Sequence, residues 1–269
     1  QIARRKLPAW ASCSGIVYPV RLSMEQCSSQ PAAEYKRRLV GRLLGSDRSL
    51  FTDLTGGLGV DFSFLAPLFG CAMYVERDEA LCRMAIGNFE ALGLSGVRVV
   101  NGDACQVLAS LPHQSLIYID PARRDVAGRK VFFMADCSPD VVAMHDELVA
   151  RADLVVVKLS PMLDIHDAVR SMPAVREVHV VEVDGEVTEM LMVLQRDGEA
   201  GPVRIVATDT GWEFVFTREE ENSVEQAMAT SLGTYLYEPA PALMKAGAYR
   251  TLAGRFGLKA LHRDSHLYT

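Results

Sequence analysis

The sequence predicts an α/β fold: an open, mostly parallel sheet with helices on both faces, closing in an antiparallel hairpin, then a small α+β region. Three observations carry that prediction. An apolar run enters a glycine-rich turn, Phe51-Thr-Asp-Leu-Thr-Gly-Gly-Leu-Gly-Val-Asp61, and leaves it as a helix bearing Phe62, Phe64, Leu65 and Leu68. Short apolar strands then alternate with helical stretches from 72 to 157, the rhythm of a parallel sheet covered on both faces. Finally, the runs Val175–Val183 and Val187–Leu194 are separated only by Asp184-Gly-Glu186, a hairpin composition.

Taken in order, residues 1–22 read as irregular, with two prolines and Trp10. Ser29 and Pro31 are helix-start residues, and Tyr35, Leu39, Leu43 and Leu44 form one apolar face at helical spacing. After the glycine turn, Ala72–Glu76 reads as a strand. Glu79–Leu92 reads as a helix ended by Gly93 and Gly96. Val97–Val100, Ser115–Ile119 and Leu154–Val157 are the next strands, and Asp164–Met172 is one more helix. Beyond the hairpin, Gln195–Pro202 has the composition of a linker. Val203–Ala207 and Trp212–Thr217 read as a second small hairpin, and Ala242–Phe256 as a helix. The expected division is 1–45 as an N-terminal segment and helix, 46–197 as the main domain and 198–269 as the small α+β region.

Composition bounds the function. At 269 residues, with 49% apolar and 23% charged residues, the chain can bury a sizeable core. No run approaches the ~18 apolar residues of a membrane span. The start, Gln1–Lys6 running into Pro8 and Trp10, lacks a signal-peptide pattern, and the missing initiator Met suggests a trimmed chain. The six cysteines are scattered without C-x-x-C or zinc-ligand spacing, as expected of reduced thiols in a cytoplasm, and no metal is expected. The net charge of −6 excludes a uniformly basic nucleic-acid binder, although Arg and Lys cluster at 4–6, 36–38 and 123–130.

The glycine turn discriminates between cofactors. Gly57 and Gly59 let the backbone approach a ligand that a Cβ would block. A dinucleotide fingerprint needs a third small residue where Phe62 stands, which disfavours a nicotinamide oxidoreductase. The alternative template, Asp53-x-Thr55-x-Gly57-x-Gly59, resembles motif I of the class I S-adenosylmethionine-dependent methyltransferases. Glu76 follows the glycines by the roughly 20 residues expected of a ribose-binding acid. A longer resemblance is to bacterial class I methyltransferases carrying a C-terminal THUMP-like domain. It rests on Leu22–Ser29, the loop Asp120-Pro-Ala-Arg-Arg124, Val157–Asp164, and the tail from Tyr237-Glu-Pro to Ser265-His-Leu-Tyr-Thr269. The turn alone also looks like that of a ribosomal RNA guanine-N2 methyltransferase family.

The resemblance implies a Rossmann-like seven-stranded sheet, S-adenosylmethionine as cofactor, and RNA as the suspected partner. It assigns Asp53, Thr55 and the Gly57 backbone to the methionine end. Glu76 takes the ribose hydroxyls with Arg77 beside it, and Asp103 with the Ala104 amide meets the adenine. Ser28, Ser29 and Lys36 would face the cofactor from the preceding helix. Asp120, Pro121 and Arg123 occupy the place of the (D/N)-P-P-(F/Y/W) motif of amine-methylating enzymes, with Asp120 also near the cofactor. Ala122 and Arg123 replace the second proline and the aromatic, which puts base stacking in doubt. Arg123, Arg124, Arg129 and Lys130 could instead grip phosphate. Pyrimidine C5 chemistry would need a cysteine nucleophile, and Lys158-Leu-Ser-Pro161 offers none. The rivals are a methyltransferase for a small molecule or protein, and a binding module without catalysis.

Overall fold

A computed structural model of the chain describes residues 2–19, 21–122, 134, 137–196 and 201–269. Its contacts divide it into two compact units: one of 1–158, 171–174 and 193–197, the other of 159–170, 175–192 and 198–269.

The first unit opens with three short helices, α1 (Ile2–Lys6), α2 (Pro8–Ser12) and α3 (Arg21–Gln26), where the sequence reading expected irregular chain. They are too short to show periodicity and form because Leu7, Trp10 and Met24 pack against Ala33 and Val60. Trp10 also donates its indole N–H to Ser63 Oγ at 3.1 Å, so this segment is stapled to the helix that follows the glycine turn. α4 (Gln30–Leu43) forms where its apolar spacing predicts and buries Tyr35, Lys36, Leu39 and Val40.

Five parallel strands follow: β1 (Leu50–Asp53), β2 (Cys71–Glu76), β3 (Val97–Asn101), β4 (Gln114–Ile119) and β5 (Ala152–Leu159), in spatial order β3-β2-β1-β4-β5. The register sets Asp53 beside both Tyr74 and Tyr118. All six residues of β4 are buried, as a central strand covered on both faces requires. The crossovers include α5 (Val60–Leu65), α6 (Glu79–Ala91), α7 (Ala104–Ser110) and α8 (His145–Arg151). Phe62, the residue that spoils the dinucleotide fingerprint, is fully buried and packs on Phe51, Tyr74 and Phe89 with centroids 4.8–5.6 Å apart. Burying such a side chain is worth about 2–3 kcal/mol. Position 62 therefore serves the core under the turn.

In the second unit, after α9 (Ile165–Ser171), the hairpin of β6 (Val175–Val183) and β7 (Glu186–Gln195) forms as its composition predicts. Asp184 and Gly185 both take positive φ, 54° and 80°, the geometry favoured by two-residue hairpins. The second hairpin, β8 (Arg204–Thr208) and β9 (Glu213–Thr217), is also present. Its β8 hydrogen-bonds along β6 in parallel, from Glu177↔Arg204 to Val181↔Thr208. α10 (Arg218–Ser223) follows, and Glu221 accepts from the amides of Tyr249, Arg250 and Thr251. The single helix expected over 242–256 is two, α11 (Pro241–Ala246) and α12 (Arg250–Phe256). Gly247 breaks it by adopting φ +76° at the end of α11, a left-handed cap that glycine takes without a Cβ penalty. No helix among the described residues is long and apolar enough to cross a membrane.

Candidate functional site

The candidate residues collect at the carboxyl ends of β1, β2 and β4, the edge at which open α/β sheets bind ligands. Asp53 ends β1 with only 1% of its surface exposed, and its Oδ1 accepts from the Thr55 amide at 2.9 Å. Burial pushes the Asp53 carboxyl well above its ordinary value; the Thr55 hydrogen bond opposes this, and the charges of Asp61, Asp120 and Glu76 add to it.

The turn above Asp53 is tight for a physical reason. A Cβ at Gly56 would run into the Tyr74 ring. At Gly59, which has φ +82°, a Cβ would lie 2.8 Å from Phe89. Gly57 differs: its φ is +55°, but a Cβ there would meet nothing closer than Thr55 O at 3.8 Å. Only the direction a Cβ would take at Gly57 is open. The Tyr74 hydroxyl donates to the Gly57 carbonyl, and the Gly57 amide donates to Glu76 Oε2 at 2.9 Å. Glu76 Oε1 accepts from the Asp78 amide at 2.9 Å, so this carboxylate ties the turn to the start of α6.

Arg77 is exposed, and its carbonyl accepts from Asn101 Nδ2 at 2.9 Å. Asp103 caps α7, its Oδ1 accepting from the amides of Cys105 and Gln106, with Ala104 buried as the first residue of the helix. Capping uses one carboxylate oxygen and leaves Oδ2 outside those bonds. At the end of β4, the Asp120 amide donates to Thr55 Oγ1 at 2.6 Å, and Pro121 is buried. Arg123, Arg124, Arg129 and Lys130 lie outside the described residues. Ser29 stands at the N-cap position of α4 without a capping bond from its side chain, and its buried Oγ has no hydrogen-bond partner among the described residues.

Lys36 is fully buried and lies in a polar network that sequence reasoning did not assemble. Asp61 is its centre. Asp61 Oδ2 accepts from Ser28 Oγ and from the Tyr118 hydroxyl, each at 2.8 Å, and lies 3.6 Å from Lys158 Nζ. Lys36 Nζ stands 3.1 Å from Asp61 Oδ1 as an ion pair, and donates to Ser28 Oγ at 3.2 Å. Lys158 Nζ donates to Asp120 Oδ2 at 2.6 Å and to Ser28 Oγ at 3.2 Å. Burial would raise the Asp61 carboxyl, but Lys36 and Lys158, with the Ser28 and Tyr118 hydrogen bonds, hold it at about 2. The members lie up to 130 residues apart, so no local spacing announces them. The one signal in the sequence was Asp61 itself, an acid just inside a helix of otherwise apolar and small residues.

Chemically, the edge offers acids in a row beside an open glycine backbone. That suits a ligand carrying an ammonium at one end, vicinal hydroxyls in the middle and an amine at the other. Among the described residues no group of His, Cys, Asp and Glu could hold a metal ion.

Comparison with known proteins agrees with this fold. A family model describing a ferredoxin-like domain matches residues 235–269, where the sequence reading expected a THUMP-like region. No curated protein matches the chain. Among solved structures, a Porphyromonas gingivalis W83 protein assigned as a methyltransferase is 38% identical, with a TM-score of 0.88 over 99% of this chain and 67% of that one. A Listeria monocytogenes protein assigned to the class I S-adenosylmethionine-dependent methyltransferases shares the fold at 10% identity, with a TM-score of 0.50 over 69% of this chain and 65% of that one. With its Rossmann-like α/β fold, the chain belongs to the methyltransferase family of the Porphyromonas gingivalis protein.

Proposed function

We propose that the protein transfers a methyl group from S-adenosylmethionine, with RNA as the acceptor. The observation that carries the cofactor reading is the Gly57 cradle, closed on one side by Glu76 and open where a ligand backbone would lie. In this reading Asp53 takes the methionine ammonium, with Thr55 and the Gly57 backbone beside it. Glu76 takes the ribose hydroxyls, with Arg77 flanking it. Asp103 Oδ2 and the Ala104 amide meet the adenine. Ser29 offers its hydroxyl, and Lys36 acts at one remove through Asp61. The bound cofactor supplies a methyl on a sulfonium, which leaves by in-line displacement, so positioning and electrostatics are what the protein must provide.

In this reading Asp120 serves the acceptor; Thr55 and Lys158 hold it, buried Pro121 follows it, and Arg123 comes next but one in the chain. Supporting RNA as the acceptor are the exposed Arg37 and Arg38 on α4, which line a groove with Glu34, Phe64 and Leu68. The basic run 123–130 of the sequence points the same way. In this reading 46–197 is the catalytic division, and 198–269 is an appended region that serves RNA recognition.

Calorimetric titration with S-adenosylmethionine beside NADH tests the cofactor reading. Micromolar binding of S-adenosylmethionine alone, weakened at least tenfold by Glu76→Ala, is the expected result; binding of NADH, or of neither, refutes it. Incubation with isotopically methyl-labelled cofactor and total RNA, followed by nucleoside analysis, tests the acceptor. Label that stays out of RNA and enters protein or small molecules instead would favour the rival reading.

A further inference from the structure

We propose that Lys158 is the residue that binds the carboxylate at the methionine end of the cofactor, with Ser29 Oγ as its neighbour. The inference rests on the cofactor reading above and assigns a residue that the sequence motifs do not. A methionine end is a zwitterion, so a site for it needs an acid for the ammonium and a cation or donors for the carboxylate. The motif supplies Asp53 for the ammonium. The sequence reading placed Lys36 toward the cofactor, but Lys36 is fully buried against Asp61 and presents no surface to a ligand.

Lys158 is placed differently. It lies near the end of β5, and its side chain keeps 13% of its surface accessible. Three hydrogen bonds connect it to the motif acid: the Thr55 amide to Asp53 Oδ1 at 2.9 Å, the Asp120 amide to Thr55 Oγ1 at 2.6 Å, and Lys158 Nζ to Asp120 Oδ2 at 2.6 Å. That continuity puts its ammonium beside the cradle. Lys158 also donates to Ser28 Oγ at 3.2 Å, and the residue after Ser28, Ser29, carries a buried hydroxyl without a partner among the described residues. A buried hydroxyl in that state is costly unless a ligand completes it. A carboxylate between Lys158 and Ser29 would do so, sharing the ammonium with Asp120.

Geometry also explains why the cation comes from β5. Asp61 and Asp120 hold Lys158 from two sides, 3.6 and 2.6 Å away, so its long chain is ordered before the ligand arrives. Preorganisation of this kind lowers the entropic cost of binding.

The test compares S-adenosylmethionine with 5′-methylthioadenosine, which keeps the adenosine and lacks the amino-acid end. Both are titrated calorimetrically into the wild type, Lys158→Met, Lys158→Arg and Ser29→Ala. We expect Lys158→Met to weaken S-adenosylmethionine about ten- to a hundredfold, the effect of losing a charge-assisted hydrogen bond, and to leave 5′-methylthioadenosine within about twofold. Lys158→Arg should recover part of the loss, and Ser29→Ala should show a smaller loss of the same kind. Unchanged binding of both ligands by Lys158→Met overturns the proposal. Equal weakening of both also overturns it, because Lys158 then acts through the fold or the adenosine site. If the wild type binds S-adenosylmethionine, the cofactor reading stands whatever Lys158 does; if it binds neither ligand, that reading fails and this inference falls with it. Retained 5′-methylthioadenosine binding shows that each variant is folded.

Discussion

Replacing Lys36 by Met removes one partner of a buried ion pair and leaves the other in place. Lys36 is fully buried, with Asp61 Oδ1 3.1 Å away and Ser28 Oγ at 3.2 Å. Breaking such a pair from one side costs about 3–5 kcal/mol when nothing else compensates the remaining charge. Here Asp61 keeps hydrogen bonds from Ser28 and Tyr118 and a second lysine at 3.6 Å. The loss should therefore fall nearer 2–3 kcal/mol, roughly a 4–10 °C fall in Tm for a chain of this size. The pH dependence carries the sharper signature. Asp61 is held at about 2 against an ordinary 3.8. That depression stabilises the fold by about 2 kcal/mol above pH 3.8, and the contribution is lost as pH falls through 2. In Lys36→Met the Asp61 carboxyl rises, so the variant can neutralise Asp61 by taking up a proton at a pH where the wild type does not. Urea unfolding at about pH 7, 4 and 3 should show the gap between variant and wild type narrowing with acidity, because the two differ in protonation only between the variant's raised value and the wild type's of about 2. The double variant Lys36→Met with Asp61→Asn should recover about 1 kcal/mol or more. A gap below about 0.5 kcal/mol at neutral pH, or one that is constant with pH, refutes the claim that Lys36 serves to hold Asp61 ionised.

Three further outcomes are expected. Gly56→Ala should destabilise the fold by about 2 kcal/mol or more, because its Cβ meets the Tyr74 ring; an unchanged urea midpoint would contradict the packing under the turn. Gly57→Ala should cost only about 1 kcal/mol of backbone strain, since its Cβ points into open space, yet weaken S-adenosylmethionine at least tenfold; full affinity would remove the cofactor from that face. Asp53, pushed well above its ordinary value by burial, should give up a proton when it pairs with the cofactor ammonium. Affinity should then rise with pH until Asp53 is ionised in the free protein. The calorimetric enthalpy should also vary with the ionisation enthalpy of the buffer, and a buffer-independent enthalpy would place the ammonium elsewhere.

The elements that the sequence announces are those whose signal is local. The glycine turn needs positive φ at Gly57 and Gly59, and the hairpin needs the same at Asp184 and Gly185, so residue type alone locates both. The strands of the parallel sheet read as apolar runs because they are buried on both faces. The motif marks Asp103 as a ligand residue, yet its amide contacts make it also the cap of α7; an acid preceding a short apolar stretch is the signal for that helix. The helices of 2–26 leave no local signal because each is stabilised by what it packs on, and that partner is remote in sequence. The break at Gly247 was readable, since a glycine inside a helical pattern is also a C-cap candidate, but apolar periodicity on both sides carried the expectation across it.

The site shows the same division at higher stakes. Strand-end acids can be found from a motif, because the sheet fixes where a strand ends. Their charge states cannot, because these depend on groups brought together by the fold. Asp53 and Asp61 are both buried aspartates near the end of β1, and burial alone would raise both. Asp61 is instead driven to about 2 because two lysines and two hydroxyls converge on it, while Asp53 has only an amide in its favour and three carboxylates against it. In the cofactor reading that difference assigns their work. The acid already neutralised by its own lysines holds α4 and Lys158 in place, and the acid still lacking a cation is the one that can accept the ammonium of a ligand.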